Sequence, residues 1–120
     1  MENHRTHYCG DLRAEHSGGA VCLVGWVQRR RDLGKLTFIT LRDRSGICQV
    51  IFDAEGNSEL HQAAKEIRSE FVVRIAGMVQ KRRAGMENPE MATGEIEVRA
   101  AEMQILNQAK TPPFGFDDPP

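Results

Sequence analysis

The residues of this chain with the clearest potential for chemistry are an aromatic and an amide on the polar face of a predicted β-hairpin. Alternation with a period of two along LTFITLR sends Phe38 to the face opposite Ile39 and Leu41. The turn formers DRSG follow as a four-residue loop, which pairs Arg42 with Ile47 and Thr40 with Gln49 on the next strand. Gln49 is then a diagonal neighbour of Phe38. A flat aromatic surface beside an amide, next to a run of arginines, suits stacking and hydrogen bonding to unpaired bases. The pattern predicts a surface that binds single-stranded nucleic acid.

Basic residues are concentrated around this hairpin, although the formal net charge of the chain is only −1. Only Asp32 and Asp43 oppose the basic residues of this region, which are Arg29, Arg30, Arg31, Lys35, Arg42 and Arg44. A solvated charged face would explain the arginines alone. The exposed position expected for Phe38 favours a local nucleic-acid patch instead.

Five strand patterns and one helix pattern must position these side chains within 120 residues. The first strand is predicted at residues 21–30, with a bend at Gly25, and the hairpin supplies the second and third strands. Residues 71–79 and 95–105 are predicted to form the fourth and fifth strands. The long segment between them is too polar and too rich in Gly and Pro for regular structure, so we expect a loop there.

The helix pattern lies between the third and fourth strands, and we expect Asn57 or Ser58 to cap it. Its apolar stripe consists of Leu60, Ala63, Ala64 and Ile67. Three strands, a helix and two further strands are the order of an OB-fold. We therefore predict an all-β protein with one helix: a five-stranded Greek-key OB-fold barrel with the helix between strands 3 and 4. The face of strands 2 and 3 binds oligonucleotides in such barrels.

The barrel is expected to occupy residues 1–108, and residues 109–120 are expected to begin a proline-rich linker to a further domain. The N-terminus lacks the apolar region of a signal peptide, and no segment reaches the length of a membrane span. We therefore expect a cytoplasmic protein with no membrane contact.

The three cysteines cannot all pair within the chain, so we expect reduced thiols. Cys22 and Cys48 fall inside strand patterns as small apolar residues. His7 and Cys9 are not followed by a second ligand pair at the spacing of a zinc site, so no metal is expected.

Residues 5–114 carry six recognisable motifs: RTHYCGDL, GWVQRRRDLG, FITLRDRSGICQVIF, IRSEF, MATGEIEV and LNQAKTPPF. Together they resemble the N-terminal anticodon-binding domain of bacterial aspartyl-tRNA synthetases. The GWV and RRRD elements are shared with the related asparaginyl and lysyl enzymes, whereas MATGEIEV with TPPF is more particular to the bacterial aspartyl enzymes.

The resemblance implies that Phe38 stacks on the middle anticodon base, a uracil, and that Gln49 hydrogen-bonds the same base. It implies that Glu97 accepts hydrogen bonds from guanine or queuine, the first anticodon base. Glu95 has the same parity in the strand and is the local competitor for that role.

Two arginines complete the implied anticodon site. Arg31 matches the third arginine of the RRRD run and would hold a phosphate or a base edge. Arg82 would lie near the third anticodon base. Arg30 points the other way in a regular strand, so we expect it to be structural or to contact the RNA backbone.

The family continues into a class II catalytic domain whose motifs do not occur in these residues. We therefore expect no catalytic residue and no cofactor in this chain, and tRNA as its partner. The resemblance implies a parent aspartate-tRNA ligase that uses ATP and Mg²⁺ and forms a homodimer mainly through its catalytic domain.

Two other functions are compatible with parts of the pattern. A generic OB-fold protein that binds single-stranded nucleic acid would use the same aromatic and basic patch. However, a carboxylate such as Glu97 on the binding face repels phosphate and makes sense only if it recognises a base. An adaptor domain for protein assembly would expose an aliphatic patch, which the strands do not obviously offer.

Overall fold

The computed structural model describes residues 5–68 and 70–107, which form a closed barrel of five strands with one helix. The elements are β1 (Ala20–Leu33), β2 (Leu36–Asp43), β3 (Gly46–Asp53), α1 (Ser58–Ala64), β4 (Val72–Lys81) and β5 (Ile96–Asn107). The strand order around the barrel is β1-β2-β3-β5-β4, and β1 pairs with β4 to close it. The β3–β5 pair is parallel and the other pairs are antiparallel. The predicted OB-fold barrel, with its helix between strands 3 and 4, is confirmed.

The hairpin of β2 and β3 has the predicted register, with Arg42 opposite Ile47 and Thr40 opposite Gln49. Its turn is shorter than expected, because the strands stay paired up to Asp43 and Gly46. One face of the hairpin is fully buried in the barrel, as predicted, through Ile39, Leu41, Cys48, Val50 and Phe52. Phe38 lies half-buried on the opposite face.

A β-bulge in β1 reverses which side of the strand faces the core. The pairing of β1 with β2 shifts between Val27 and Arg29, so Gln28 is the extra residue. Val27 before the bulge is buried, whereas Arg29 and Arg31 after it are exposed. The prediction of a regular first strand is therefore wrong at Gln28, where the alternation is interrupted. Without the bulge, Arg31 would lie on the same side of β1 as Val27.

Gly25, where a bend is predicted, marks a close approach of two strands. A Cβ atom at Gly25 would overlap the backbone carbonyl oxygen of Arg42 on the neighbouring strand. The neighbouring Val24 and Trp26 are half-buried on the outer side of β1, while Leu23 and Val27 point inward and are fully buried.

Helix α1 closes one end of the barrel. The Asn57 side chain caps it by accepting a hydrogen bond from the backbone N–H of Leu60 at 3.0 Å. The helix ends at Ala64, earlier than its apolar stripe suggests, but Ile67 just beyond it is still buried in the core. No motif or periodicity marks His61, which is buried and whose Nε2 lies 3.2 Å from Oγ1 of Thr37.

Arg30 ties the end of this helix to β1. One of its nitrogens, Nη1, donates to the backbone carbonyl oxygens of Lys65 at 2.7 Å and of Ile67 at 2.9 Å. Its other terminal nitrogen donates to Asp32 at 2.8 Å. These contacts agree with the structural role expected for Arg30.

The remaining strands and cysteines mostly follow the predictions. Strand β4 begins one residue later than predicted and extends to Lys81, and β5 begins at Ile96 and extends to Asn107. All three cysteines are free; Cys48 is buried as predicted, while Cys22 is half-buried. A hydrogen bond to Cys48, together with burial, raises the pKa of the Cys9 thiol. The expected linker at residues 109–120 lies outside the described residues.

No helix within residues 5–68 and 70–107 has the length and apolar character needed to cross a membrane.

Candidate nucleic-acid interface

The five side chains predicted to bind RNA meet in one groove on the outer face of the barrel. A cavity of about 260 Å³ is lined by all five of them: Arg31, Phe38, Gln49, Arg82 and Glu97. A second cavity of about 620 Å³ is also lined by four of the five, all except Glu97. We call these two cavities together the groove.

At one side of the groove, a guanidinium covers an aromatic ring. Arg31 of β1 and Phe38 of β2 are direct cross-strand partners. The Cζ atom of Arg31 lies 5.2 Å from the centroid of the Phe38 ring. This arrangement depends on the bulge at Gln28, because the bulge puts Arg31 on the outer face with Phe38. It places a cation and a stacking surface at the same point.

At the other side, three polar side chains form a row across three adjacent strands. Glu97 of β5 is the central member and is 9% exposed. Its Oε1 accepts a hydrogen bond from Nε2 of Gln49 on β3 at 2.9 Å. Its Oε2 accepts one from Nε2 of Gln80 on β4 at 2.7 Å. We call Gln49, Glu97 and Gln80 the amide-carboxylate row.

The row exists because of the strand order. Although Gln49 and Glu97 are far apart in sequence, the parallel pairing of Val50 with Val98 brings them side by side. Gln80 is the direct antiparallel partner of Glu97. Gln80 was not predicted as a site residue, since it lies one residue beyond the end of the fourth predicted strand and no motif marks it.

Arg82 links the groove to the loop between β4 and β5. Its Nε donates to the backbone carbonyl oxygen of Ile96 at 3.0 Å, and its Nη2 lies 3.7 Å from Sδ of Met91. Burial lowers the pKa of the Arg82 guanidinium, while the Glu97 carboxylate acts in the opposite direction. Arg82 therefore positions the loop as well as lining the groove.

Glu95, the alternative to Glu97 as the carboxylate that contacts the first base, does not line the groove. It is exposed and precedes β5, so the parity that it shares with Glu97 in the sequence does not carry over into a strand. It lines a separate small cavity with Lys81 and Arg82. Of the two carboxylates, Glu97 lines the groove and Glu95 does not.

Several further side chains line the larger cavity without having been predicted as site residues. They are Gln28, Arg29, Thr40, Ile47, Met86, Asn88 and Met91. Arg29 and Thr40 were detectable in principle, since they are cross-strand partners beside the predicted pair of Arg31 and Phe38. Met86, Asn88 and Met91 come from an irregular loop, where no periodicity predicts the direction of a side chain.

Among residues 5–68 and 70–107, no three His, Cys, Asp or Glu side chains are grouped so as to hold a metal ion. His7 packs edge-on against the ring of His16 at 5.4 Å, and Cys9 lies in the core.

The chain is similar in sequence to a family of nucleic-acid-binding barrels and to bacterial aspartate-tRNA ligases. A family model described as an OB-fold nucleic acid binding domain matches residues 21–106. The aspartate-tRNA(Asp/Asn) ligase of Desulfatibacillum aliphaticivorans is 54% identical over 95% of this chain, which is 19% of that protein. The aspartate-tRNA ligase of Listeria monocytogenes serotype 4b is 53% identical over 95% of this chain, which is 19% of that protein. The chain thus spans only 19% of the length of these curated relatives.

Solved structures agree on the fold. The asparaginyl-tRNA synthetase from Pyrococcus horikoshii superposes with a TM-score of 0.73 and 27% identity, over 89% of this chain and 24% of that chain. The aspartyl tRNA synthetase from Entamoeba histolytica gives a TM-score of 0.79 over 93% of this chain and 23% of that chain. At 19% identity, the second likeness concerns the fold alone. From the family match and these identities, the chain belongs to the OB-fold nucleic acid binding domain family, in the form that aspartyl-tRNA synthetases carry as their N-terminal anticodon-binding domain.

Proposed function

We propose that this chain recognises the anticodon loop of aspartate tRNA, as the anticodon-binding module of an aspartate-tRNA ligase. The observation that carries the proposal is the meeting of Arg31, Phe38, Gln49, Arg82 and Glu97 in one groove. Four of these residues lie on four different strands, and Arg82 is the first residue of the loop that follows β4. They combine a stacking surface, hydrogen-bonding groups and positive charge, which is the combination that unpaired bases require.

The middle anticodon base, a uracil, stacks on Phe38 in this proposal. Gln49 lies beside it and already donates from Nε2 to Glu97. The Oε1 atom of Gln49 then accepts the imino N–H of uracil, and the second N–H of its amide donates to a uracil carbonyl. The hydrogen bond to Glu97 thereby sets the orientation in which Gln49 meets the base.

The first anticodon base, guanine or queuine, donates to Glu97. Each carboxylate oxygen has two lone pairs, so the two amides that Glu97 accepts leave room for two donors of the base. Arg31 contacts a phosphate or a base edge beside Phe38, and Arg82 contacts the third base from the loop side.

The activity of the whole ligase lies beyond this groove. We propose that the parent protein joins aspartate to its tRNA in the cytoplasm, with ATP and Mg²⁺, as a homodimer held mainly by its catalytic domain. Of the described residues that line the groove, Glu97 is the one carboxylate, and both of its oxygens already accept hydrogen bonds from amides. A groove that sets this single carboxylate among Arg31, Arg82 and Arg83 does not favour a divalent cation, so we expect it to bind RNA and assign the ATP and Mg²⁺ of the parent protein to its catalytic domain.

The test is a titration of the 120-residue chain with anticodon stem-loops of aspartate, asparagine and lysine tRNAs at fixed salt. We expect weak binding that prefers the aspartate loop and falls as salt rises, with a slope of about −0.7 per phosphate contact. Equal affinity for all three loops and for an unrelated single strand would instead support the generic nucleic-acid binder. Tight binding that ignores salt would contradict both.

A further inference from the structure

Gln80 is the member of the amide-carboxylate row that does not line the groove. It is half-buried on β4, directly opposite Glu97. Glu97 lines the smaller cavity, whereas Gln80 lines neither of the two cavities in the described part of the chain. A ligand in the groove would therefore contact Glu97, with Gln80 beside it on the neighbouring strand and outside the groove.

The position of Gln80 determines how freely the Glu97 carboxylate can rotate. With an amide on each oxygen, at 2.9 Å from Gln49 and 2.7 Å from Gln80, the plane of the carboxylate is held at both ends. Loss of either amide would leave one oxygen of a nearly buried carboxylate without that partner, which is costly. The Glu97 oxygen released in this way would be open to attraction by Arg82, whose pKa already responds to Glu97.

We propose that Gln80 is a positioning residue for base recognition: by holding Oε2 of Glu97, it keeps the carboxylate in the orientation that selects guanine at the first anticodon position. This inference rests on the proposed function of the groove. Gln80 acts without touching RNA, so its removal changes selectivity more than general affinity.

The first test is Gln80→Met, which keeps the length of the side chain but removes its donor. The readout is the ratio of affinities for two stem-loops that differ only in guanine or uracil at the first anticodon position. We expect the ratio to fall by about 3- to 10-fold, with binding to the uracil loop changed by less than about 2-fold. An unchanged ratio, or an equal loss for both loops, would overturn the proposal.

The second test is Gln80→Glu, which offers a rescue that a merely structural role would not produce. At neutral pH two carboxylates face each other, so the row is broken. As pH falls, their mutual repulsion favours uptake of one shared proton, and the protonated carboxyl group again donates to its neighbour. We expect guanine selectivity to recover between about pH 8 and about pH 5.5 in this variant.

A matched control is Gln62→Glu, which makes the same change in charge at an exposed position of α1. We expect it and the wild type to show flat selectivity over the same pH range. Melting curves on each variant show whether Gln80→Met is folded. If it is not, the proposal is tested by whether Gln80→Glu regains guanine selectivity at low pH. No recovery in a folded Gln80→Glu would overturn the proposal.

The two proposals fail differently. If the wild type does not bind any stem-loop, the proposed function of the groove is wrong. If the wild type selects guanine and the Gln80 variants select it equally well, only the positioning role is wrong.

Discussion

The two sides of the groove differ in exposure and in how their side chains are held. On the β1–β2 side, Arg31 is exposed and covers the half-buried ring of Phe38 at 5.2 Å. On the β3–β5–β4 side, Glu97 is 9% exposed and fixed by amides on both oxygens. An exposed cation-π pair contributes only about 0.5–1 kcal/mol, whereas hydrogen bonds to a charged group contribute about 1.5–3 kcal/mol.

This contrast indicates a division of labour within one interface. An aromatic ring can stack on any base, and a guanidinium can bind any phosphate. The first side therefore contributes affinity with little selectivity. A fixed, nearly buried carboxylate that accepts from only some bases contributes selectivity. Variants on each side of the groove separate the two contributions.

The largest effect on binding is expected for Phe38→Ala. Removal of the stacking surface should weaken binding by about 1–3 kcal/mol for cognate and noncognate stem-loops alike. The fold should survive, because Phe38 points away from the core. Stem-loop affinities at fixed salt and a melting curve check both statements.

A contrasting variant on the same hairpin is Phe52→Ala. Phe52 is fully buried, so its truncation should cost about 3–5 kcal/mol of stability. If Phe38→Ala destabilises the chain as strongly as Phe52→Ala, then Phe38 is part of the scaffold and not of the interface.

A smaller and more selective effect is expected for Glu97→Gln. The variant keeps the shape of the side chain but replaces one acceptor oxygen with a donor, so we expect a loss of about 1 kcal/mol that is confined to loops with guanine or queuine first. Glu102→Gln makes the same change in charge at an exposed site on the same strand and should have no such effect. Equal losses across all first bases for Glu97→Gln would remove Glu97 from base recognition.

Arg31→Gln tests the electrostatic side of the groove. Loss of one phosphate contact should reduce the slope of log affinity against log salt by about 0.7, with little change in base preference. Arg68→Gln is the matched control, since Arg68 is exposed and lines neither cavity. A changed base preference for Arg31→Gln would show that Arg31 contacts a base edge instead of a phosphate.

The smallest expected effect concerns the support behind the groove. A hydrogen bond from Arg30, followed by one from Thr37, lowers the pKa of Asp32 in the folded chain. The stability that this carboxylate contributes is present above its unfolded pKa of about 3.9 and is lost as pH falls through its lower folded pKa. Asp32→Asn should therefore flatten the acid side of the curve of melting temperature against pH. A variant curve that parallels the wild type below about pH 4 would contradict this.

Strand periodicity in the sequence was sufficient to predict the structure of the β2–β3 hairpin. The alternation around Phe38 and Ile39, and the turn residues that follow, determined which hairpin face is buried and which residues pair across it. Such patterns are local, because neighbouring residues of a strand point to opposite sides whatever the rest of the chain does. The resemblance to a known family added Arg31, Arg82 and Glu97 to Phe38 and Gln49, and the barrel brings all five together.

Three further features of the groove could be seen only in the tertiary structure. The bulge at Gln28 turns Arg31 toward Phe38, and a bulge leaves no distinct mark in a polar run such as VQRRRD. The parallel pairing of β3 with β5 brings Glu97 to Gln49, and the antiparallel pairing of β5 with β4 brings it to Gln80. These contacts join residues that are distant in sequence, so they form only when the barrel closes and sets the register of all five strands at once.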